Sequence, residues 1–92
     1  MRDTIHYQLR NEDHKIVVTY ESLFDFYFKF YIDGNLAYKT MPWHNLPFEV
    51  EFAFRDDQFK FSIGRGYFKI YRDIDVCING KKLQLTERQQ SL

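Results

Sequence analysis

The chain has 92 residues, and its thirteen lysines and arginines balance its thirteen aspartates and glutamates. A neutral chain lacks the net basic footprint that a general nucleic-acid binder uses to displace counterions. Apolar residues make up 45% and aromatic residues 20% of the sequence, which excludes bulk disorder. The length suffices for one domain, which we place at residues 1–85, with a polar tail at residues 86–92.

The residues that bear on compartment point to the cytoplasm. Cys77 is the single cysteine, so no intramolecular disulfide can form, whereas small secreted domains usually carry several. Charges interrupt residues 1–15, which leaves no apolar core for a signal peptide. Residues 23–32 are too short and too polar to span a bilayer. We therefore expect a cytoplasmic protein with no membrane partner.

Apolar residues recur at every second position along most of the chain. Side chains on a strand point alternately to opposite faces, so each such run gives one apolar and one polar face. We therefore predict an all-β fold, an antiparallel β-sandwich of about eight short strands. In chain order, the alternating runs cover Ile5–Leu9, Ile16–Tyr20, Phe24–Ile32, Phe48–Phe54, Phe59–Ile63 and Phe68–Ile78.

Turn residues separate these runs. Asp33-Gly34 and Asn79-Gly80 are strong hairpin dipeptides, because glycine accepts positive φ at no steric cost. Both prolines and Trp43 fall within residues 41–47, which we interpret as a loop that crosses between two sheets. Weaker turn signals occur at residues 11–14, 55–57 and 64–66.

The histidines, the cysteine and one glycine pair give no sign of a metal or cofactor site. None of the histidines stands at metal-ligand spacing from another histidine or from Cys77. Gly64-Arg65-Gly66 lacks the further glycines and the following helix of a phosphate-binding loop. We therefore predict a protein that is not an enzyme and that needs no metal or cofactor. The histidines are His6, His14 and His44.

Pairs of carboxylates form a weaker chemical signal. Residues two apart on a strand share a face, and such a pair can bind a hard cation or transfer protons. A solvated strand face shows the same pattern. An enzyme built on Asp73, Asp75 and a histidine is therefore kept as an alternative. The remaining pairs are Glu49 with Glu51 and Asp56 with Asp57.

Tyrosines and lysines alternate with apolar residues in two segments, which gives a more specific pattern. If both segments lie in one sheet, they cover one outward face. Tyrosine offers a large, rigid contact area, and aromatic residues are enriched at interface centres. The residues are Tyr27, Lys29 and Tyr31, then Tyr67, Lys69 and Tyr71, with Tyr38 and Arg65 expected to flank them.

We predict that this face, or an edge strand, binds another protein, as a small inhibitor or adaptor would. A homodimer interface would show the same features. The alternative function is carbohydrate or single-stranded nucleic-acid binding, with rings stacked on tyrosines and phosphates on lysines. Cross-strand Tyr–Lys pairs that only stabilise the sheet are the third interpretation.

The order of these features resembles one repeat of the Fas apoptotic inhibitory molecule family, over residues 14–85. His14-Lys15-Ile16 opens a strand, Tyr31–Asn35 forms a hairpin, Trp43 follows in a loop and Ile78–Leu83 closes the domain. The resemblance implies a non-enzymatic sandwich that works through protein contacts, and it carries over no catalytic residue. Pro47–Val50 and the strands that follow are more distantly similar to galectins, which would imply sugar binding.

Overall fold

A computed structural model describes residues 4–22, 26–40, 48–64 and 73–91. These residues contain nine strands and no helix, and every strand pair is antiparallel, which confirms the predicted all-β class. The chain divides into two compact units, each built on one sheet. The strands are β1 Thr4–Arg10, β2 Lys15–Ser22, β3 Phe26–Ile32, β4 Asn35–Thr40, β5 Phe48–Phe54, β6 Asp57–Ile63, β7 Ile74–Ile78, β8 Lys81–Lys82 and β9 Glu87–Ser91.

The larger unit is a five-stranded sheet in the order β4-β3-β2-β1-β9. One face carries the alternating apolar residues that the sequence predicts, and these side chains are buried. Burial of each such side chain contributes about 1.5–3 kcal/mol. The fully buried members are Leu9, Ile16, Val18, Phe28, Phe30 and Ile32.

Strand β9 lies in the segment that the sequence analysis assigns to a polar tail. Glu87–Ser91 pairs with β1, and Thr86 begins the pairing by donating both its amide and its hydroxyl to the Arg10 carbonyl. The segment assigned to the tail at 86–92 therefore contains an edge strand over Glu87–Ser91. Its polar composition hid the strand, because an edge strand gains much of its order from backbone hydrogen bonds.

The smaller unit is a four-stranded sheet in the order β5-β6-β7-β8. Its buried face is built around stacked phenylalanine rings, with Phe52 lying 5.7 Å from Phe61 and 5.9 Å from Phe59 between ring centroids. Ile74 and Val76 on β7 are buried on the same sheet. Its other face carries charged residues in ion pairs.

Both predicted hairpin dipeptides form two-residue turns with positive φ at each position, the geometry that matches strand twist. The φ angles are +50° and +87° at Asp33 and Gly34, and +53° and +84° at Asn79 and Gly80. Asn79 also fixes its turn through its side chain. Its Oδ1 accepts from the Gln58 amide at 2.9 Å, and its Nδ2 donates to Asp57.

Gly64 has a packing reason to be glycine. A Cβ at this position would lie 2.9 Å from the Asp73 Cβ, which is too close for two carbon atoms. The Gly64 amide donates to the Asp73 carbonyl at 2.8 Å. The crossing loop predicted at residues 41–47 and the first part of the predicted run Phe68–Ile78, up to residue 72, lie outside the described residues. Within those residues, no helix has the length and apolar character needed to cross a membrane.

Candidate interaction face of the five-stranded sheet

The five-stranded sheet has an outer face, opposite its buried phenylalanines. Tyr27, Lys29 and Tyr31 alternate along β3 with Phe28 and Phe30, and all three are half-buried on this outer face. The structure therefore brings together the first Tyr–Lys–Tyr segment as the sequence pattern predicts.

One cross-strand row on the outer face runs through all five strands. Its polar half is Gln89 on β9 and Gln8 on β1, and its apolar half is Val17 on β2, Tyr31 on β3 and Leu36 on β4. Leu36 ends the row on the edge strand with 53% of its surface exposed. We call Val17, Tyr31 and Leu36 the apolar row.

Tyr27 lies beside this row in a cluster of lysines. The Lys39 Nζ is 4.5 Å and the Lys29 Nζ 5.5 Å from the centroid of its ring. Lys29 also lies 3.6 Å from a carboxylate oxygen of Glu21, measured from its Nζ. Both lysines therefore hold the Tyr27 ring by cation–π attraction.

A groove of about 290 Å³ opens on the same face. Lys15, Val17 and Thr19 follow one another on the same side of β2 and form its floor. His6 on β1 stands opposite Thr19, and Tyr31 on β3 stands opposite Val17. Gly34 in the β3–β4 turn closes the end near Lys15. The groove is lined by His6, Lys15, Val17, Thr19, Tyr31 and Gly34.

Asp33 fixes the end of the groove where Gly34 lies. Its Oδ1 accepts from the Lys15 amide at 3.0 Å, and its own amide donates to the Lys15 carbonyl at 2.9 Å. The His14 Nδ1 lies 3.0 Å from the other carboxylate oxygen of Asp33. These contacts tie the turn to the beginning of β2, so the bare backbone of Gly34 faces the groove in a set position.

Thr19 is the most unusual residue of the groove. It is only 5% exposed although it lies on the outer face, and its Oγ1 has no hydrogen-bond partner among the described residues. Glu21, two residues further along β2, is also buried, at 8% exposure. The sequence analysis missed both residues, because a threonine and a glutamate at polar strand positions are expected to be exposed.

Tyr38 lies on the opposite face from the one predicted. A regular two-residue hairpin would pair Tyr38 with Lys29, but a bulge at Ala37 shifts the register, so that Tyr38 pairs with Phe30 instead. The rings of Phe30 and Tyr38 are 6.4 Å apart between centroids. The regular register would turn Lys39 toward the buried face, which is costly for a charge. The bulge places Lys39 over Tyr27 instead.

The second predicted segment is not covered by the structure. Arg65, Tyr67, Lys69 and Tyr71 lie outside the described residues, as do Trp43 and His44. The four-tyrosine face therefore stays a prediction, and the described site rests on β1 to β4. Leu36, in contrast, could have been found from the sequence. A two-residue turn at Asp33-Gly34 pairs Leu36 with Tyr31, which places both side chains on the same face.

Two other tyrosines face the buried side of the sheet. Burial, together with a smaller effect of the neighbouring Tyr20 phenol, raises the pKa of Tyr7 to about 12. The pKa of Tyr20 is also raised by burial. Both phenols therefore stay protonated at neutral pH and belong to the packing of the sheet.

Two of the carboxylates singled out by the sequence, Glu49 and Asp75, lie in ion pairs on the four-stranded sheet. The Glu49 Oε2 is 3.6 Å from the Lys60 Nζ, and the Asp75 Oδ1 is 3.7 Å from the Lys82 Nζ. This is the arrangement of a solvated strand face. Across the described ranges, no three histidine, cysteine or acidic side chains gather where they would hold a metal ion.

Comparison with known proteins adds no relative. No protein-family model matches the chain, and no curated protein or solved structure matches it significantly.

Proposed function

We propose that this protein is a non-enzymatic interaction module, a small inhibitor or adaptor, that binds another protein through the outer face of its five-stranded sheet. The apolar row carries the proposal. Val17, Tyr31 and Leu36 are register neighbours on three adjacent strands, and the most exposed of them is a leucine at 53%. A contiguous apolar strip on an otherwise polar face is typical of a contact surface.

The chemistry of the row suits a protein partner. Tyrosine presents a large contact area at low conformational cost, and the half-buried Tyr31 is already held between its cross-strand neighbours. Leu36 at the edge of the sheet loses the most water-exposed surface when a partner covers it, so it contributes most of the gain from burial.

Charge complementarity defines the partner further. Lys15, Lys29 and Lys39 surround the apolar row, where Glu21 is paired with Lys29 and the Asp33 carboxylate accepts from the Lys15 amide. Such a surface attracts a partner with an acidic rim and accelerates its association at low salt. The partner we infer is therefore an acidic protein with an apolar centre to its contact patch.

Binding through the face is better supported than strand addition at the edge. Strand β4 is an edge of its sheet, but the bulge at Ala37 and the charge of Lys39 are features that hinder pairing with another strand. The face offers a contact that needs no new backbone ladder.

The protein interpretation is also better supported than binding to sugars or single-stranded nucleic acid. Base stacking needs an open ring face, whereas Lys39 lies 4.5 Å from the centroid of the Tyr27 ring. That leaves Tyr31 as the ring available for stacking on β3. A cytoplasmic location fits the proposal, because Cys77 is a free thiol.

The test compares two aspartates placed at opposite ends of one row. Leu36→Asp introduces a charge at the apolar end, and Gln89→Asp introduces the same charge on the same face at the other edge, four strands away or roughly 19 Å. A photo-crosslinking residue at position 36 first captures the partner from the native source. The captured protein is then purified and titrated.

We expect Leu36→Asp to weaken binding of the purified partner about tenfold or more, and Gln89→Asp to change it by less than about threefold. Binding should also weaken as salt rises. Equal effects of the two variants would refute the proposed surface. If light scattering shows that the partner is a second copy of the chain, Leu36→Asp should yield a monomer.

A further inference from the structure

We propose that the groove on β2 binds a small aromatic carboxylate that carries a hydroxyl group. The groove shares Val17 and Tyr31 with the apolar row, and Lys15 and Thr19 extend it beyond that row. The proposal stands on the shape of the groove, on the cation at one end and on the buried hydroxyl at the other.

The size and the walls of the groove suit a flat ring. Its volume of about 290 Å³ lies just below the usual range for small-molecule sites, roughly 300–1,000 Å³, so it suits a small ligand. Val17 and the Tyr31 ring give the middle an apolar character, and Gly34 adds a stretch of backbone with no side chain. A planar apolar body fits between Tyr31 on one side and His6 on the other.

The end of the groove near Gly34 suits an anion. Lys15 is exposed, and its Nζ forms no ion pair within the part of the chain that the structure describes. The nearest carboxylate along the turn, Asp33, is engaged by the Lys15 amide and by His14. A carboxylate at this end of the groove would therefore form an ion pair with the Lys15 ammonium group.

The other end suits a ligand hydroxyl. A buried hydroxyl without a hydrogen bond is costly, so such groups are rarely left unpaired. Thr19 is 5% exposed, lines the groove and has an Oγ1 without a partner. Rotation about its Cα–Cβ bond exchanges the positions of the hydroxyl and the methyl group between staggered wells. A ligand hydroxyl at this end would give the Thr19 hydroxyl the partner it lacks.

The test titrates the folded protein with three probes of nearly the same shape. These are 4-hydroxybenzoate, 4-hydroxybenzamide, which lacks the charge, and benzoate, which lacks the hydroxyl. Amide chemical shifts in a two-dimensional nitrogen–proton NMR spectrum report both the site and the dissociation constant. The shifts caused by 4-hydroxybenzoate should centre on Val17 and Thr19.

Matched variants assign each end of the groove. Lys15→Gln should weaken 4-hydroxybenzoate binding roughly threefold to tenfold, to the level of the amide probe. Lys39→Gln removes an outer-face lysine that does not line the groove, and it should leave binding unchanged. Thr19→Val should reduce 4-hydroxybenzoate to the affinity of benzoate and leave benzoate itself unaffected.

Three outcomes would overturn the proposal. They are equal binding of the acid and the amide, equal effects of Lys15→Gln and Lys39→Gln, and a dissociation constant for 4-hydroxybenzoate weaker than roughly 10 mM. The result can be told apart from the protein contact, because Leu36 does not line the groove. Leu36→Asp tests that contact and should leave binding of the probe intact.

Discussion

Replacing Thr19 by valine should make the protein more stable. Valine has nearly the same shape and the same branching at Cβ, and both residues favour strands. The substitution therefore changes one group, the Oγ1 that is buried without a hydrogen-bond partner. Most substitutions destabilise a protein, so a gain here is a specific consequence of the structure.

The magnitude follows from the cost of burying an unpaired hydroxyl, about 1–3 kcal/mol in proteins. Thr19 is 5% exposed, so almost the whole cost applies. We expect a gain in the free energy of unfolding of about 1 kcal/mol, which for a domain of this size raises the Tm by roughly 4–8 °C.

Equilibrium urea unfolding measures this effect, with the m-value checked for constancy. Thr86→Val is the matched control, because the Thr86 hydroxyl donates to the Arg10 carbonyl at 3.0 Å. That variant should lose about 0.5–1 kcal/mol. If Thr19→Val unfolds at or below the wild-type urea midpoint with an unchanged m-value, the Thr19 hydroxyl has a partner, and the reasoning is refuted.

Three further predictions concern the rest of the fold. The pKa of Tyr7 rises from 10.0 to about 12 on folding, so the unfolded chain loses this proton first as the pH increases. Its contribution to stability is complete below pH 10, and up to about 3 kcal/mol is lost as the pH rises to 12. Tyr7→Phe should remove this loss in unfolding curves measured across that range. Phe61→Ala should cost about 3–5 kcal/mol in urea unfolding, because Phe61 is fully buried and stacked on Phe52. Asp33→Ala should cost about 1 kcal/mol and speed amide exchange at Lys15, whose amide it leaves without an acceptor.

Each of these predictions has its own control. Tyr20→Phe should reduce the alkaline loss less than Tyr7→Phe does, and equal reductions would contradict the assignment to Tyr7. Phe54→Ala, at a half-buried position, should cost less than Phe61→Ala. Asp56→Ala removes an exposed turn carboxylate and should be neutral, so an equal loss in both turn variants would mean that the Asp33 contacts contribute nothing specific.

The alternation of apolar residues was sufficient to predict the fold class. Phe59, Phe61 and Ile63 share a parity, and all three are buried on β6. This works because the side-chain period of a strand is two whatever the sequence around it. The two hairpin dipeptides were equally informative, since positive φ at consecutive residues is a local requirement that few residue pairs satisfy.

The candidate site was only partly predictable, because it depends on register. Parity placed Tyr27, Lys29 and Tyr31 on one face without any knowledge of their neighbours. The prediction for Tyr38 was wrong because a bulge at Ala37 changes the register of the hairpin. Two registers compete there, and the one that forms keeps the charge of Lys39 off the buried face. Burial of Thr19 depends on three strands at once, and no local pattern reports it.

The bulge at Ala37 also makes this residue dispensable to the pairing of the hairpin. A chain shortened by this one alanine would keep Leu36 opposite Tyr31, Tyr38 opposite Phe30 and Lys39 opposite Lys29, so each side chain of the ribbon would keep its neighbour. It would lose the kink that hinders the edge strand β4 from pairing with a strand of another molecule. Removal of Ala37 should therefore leave β4 an edge that pairs more readily with a strand of another molecule.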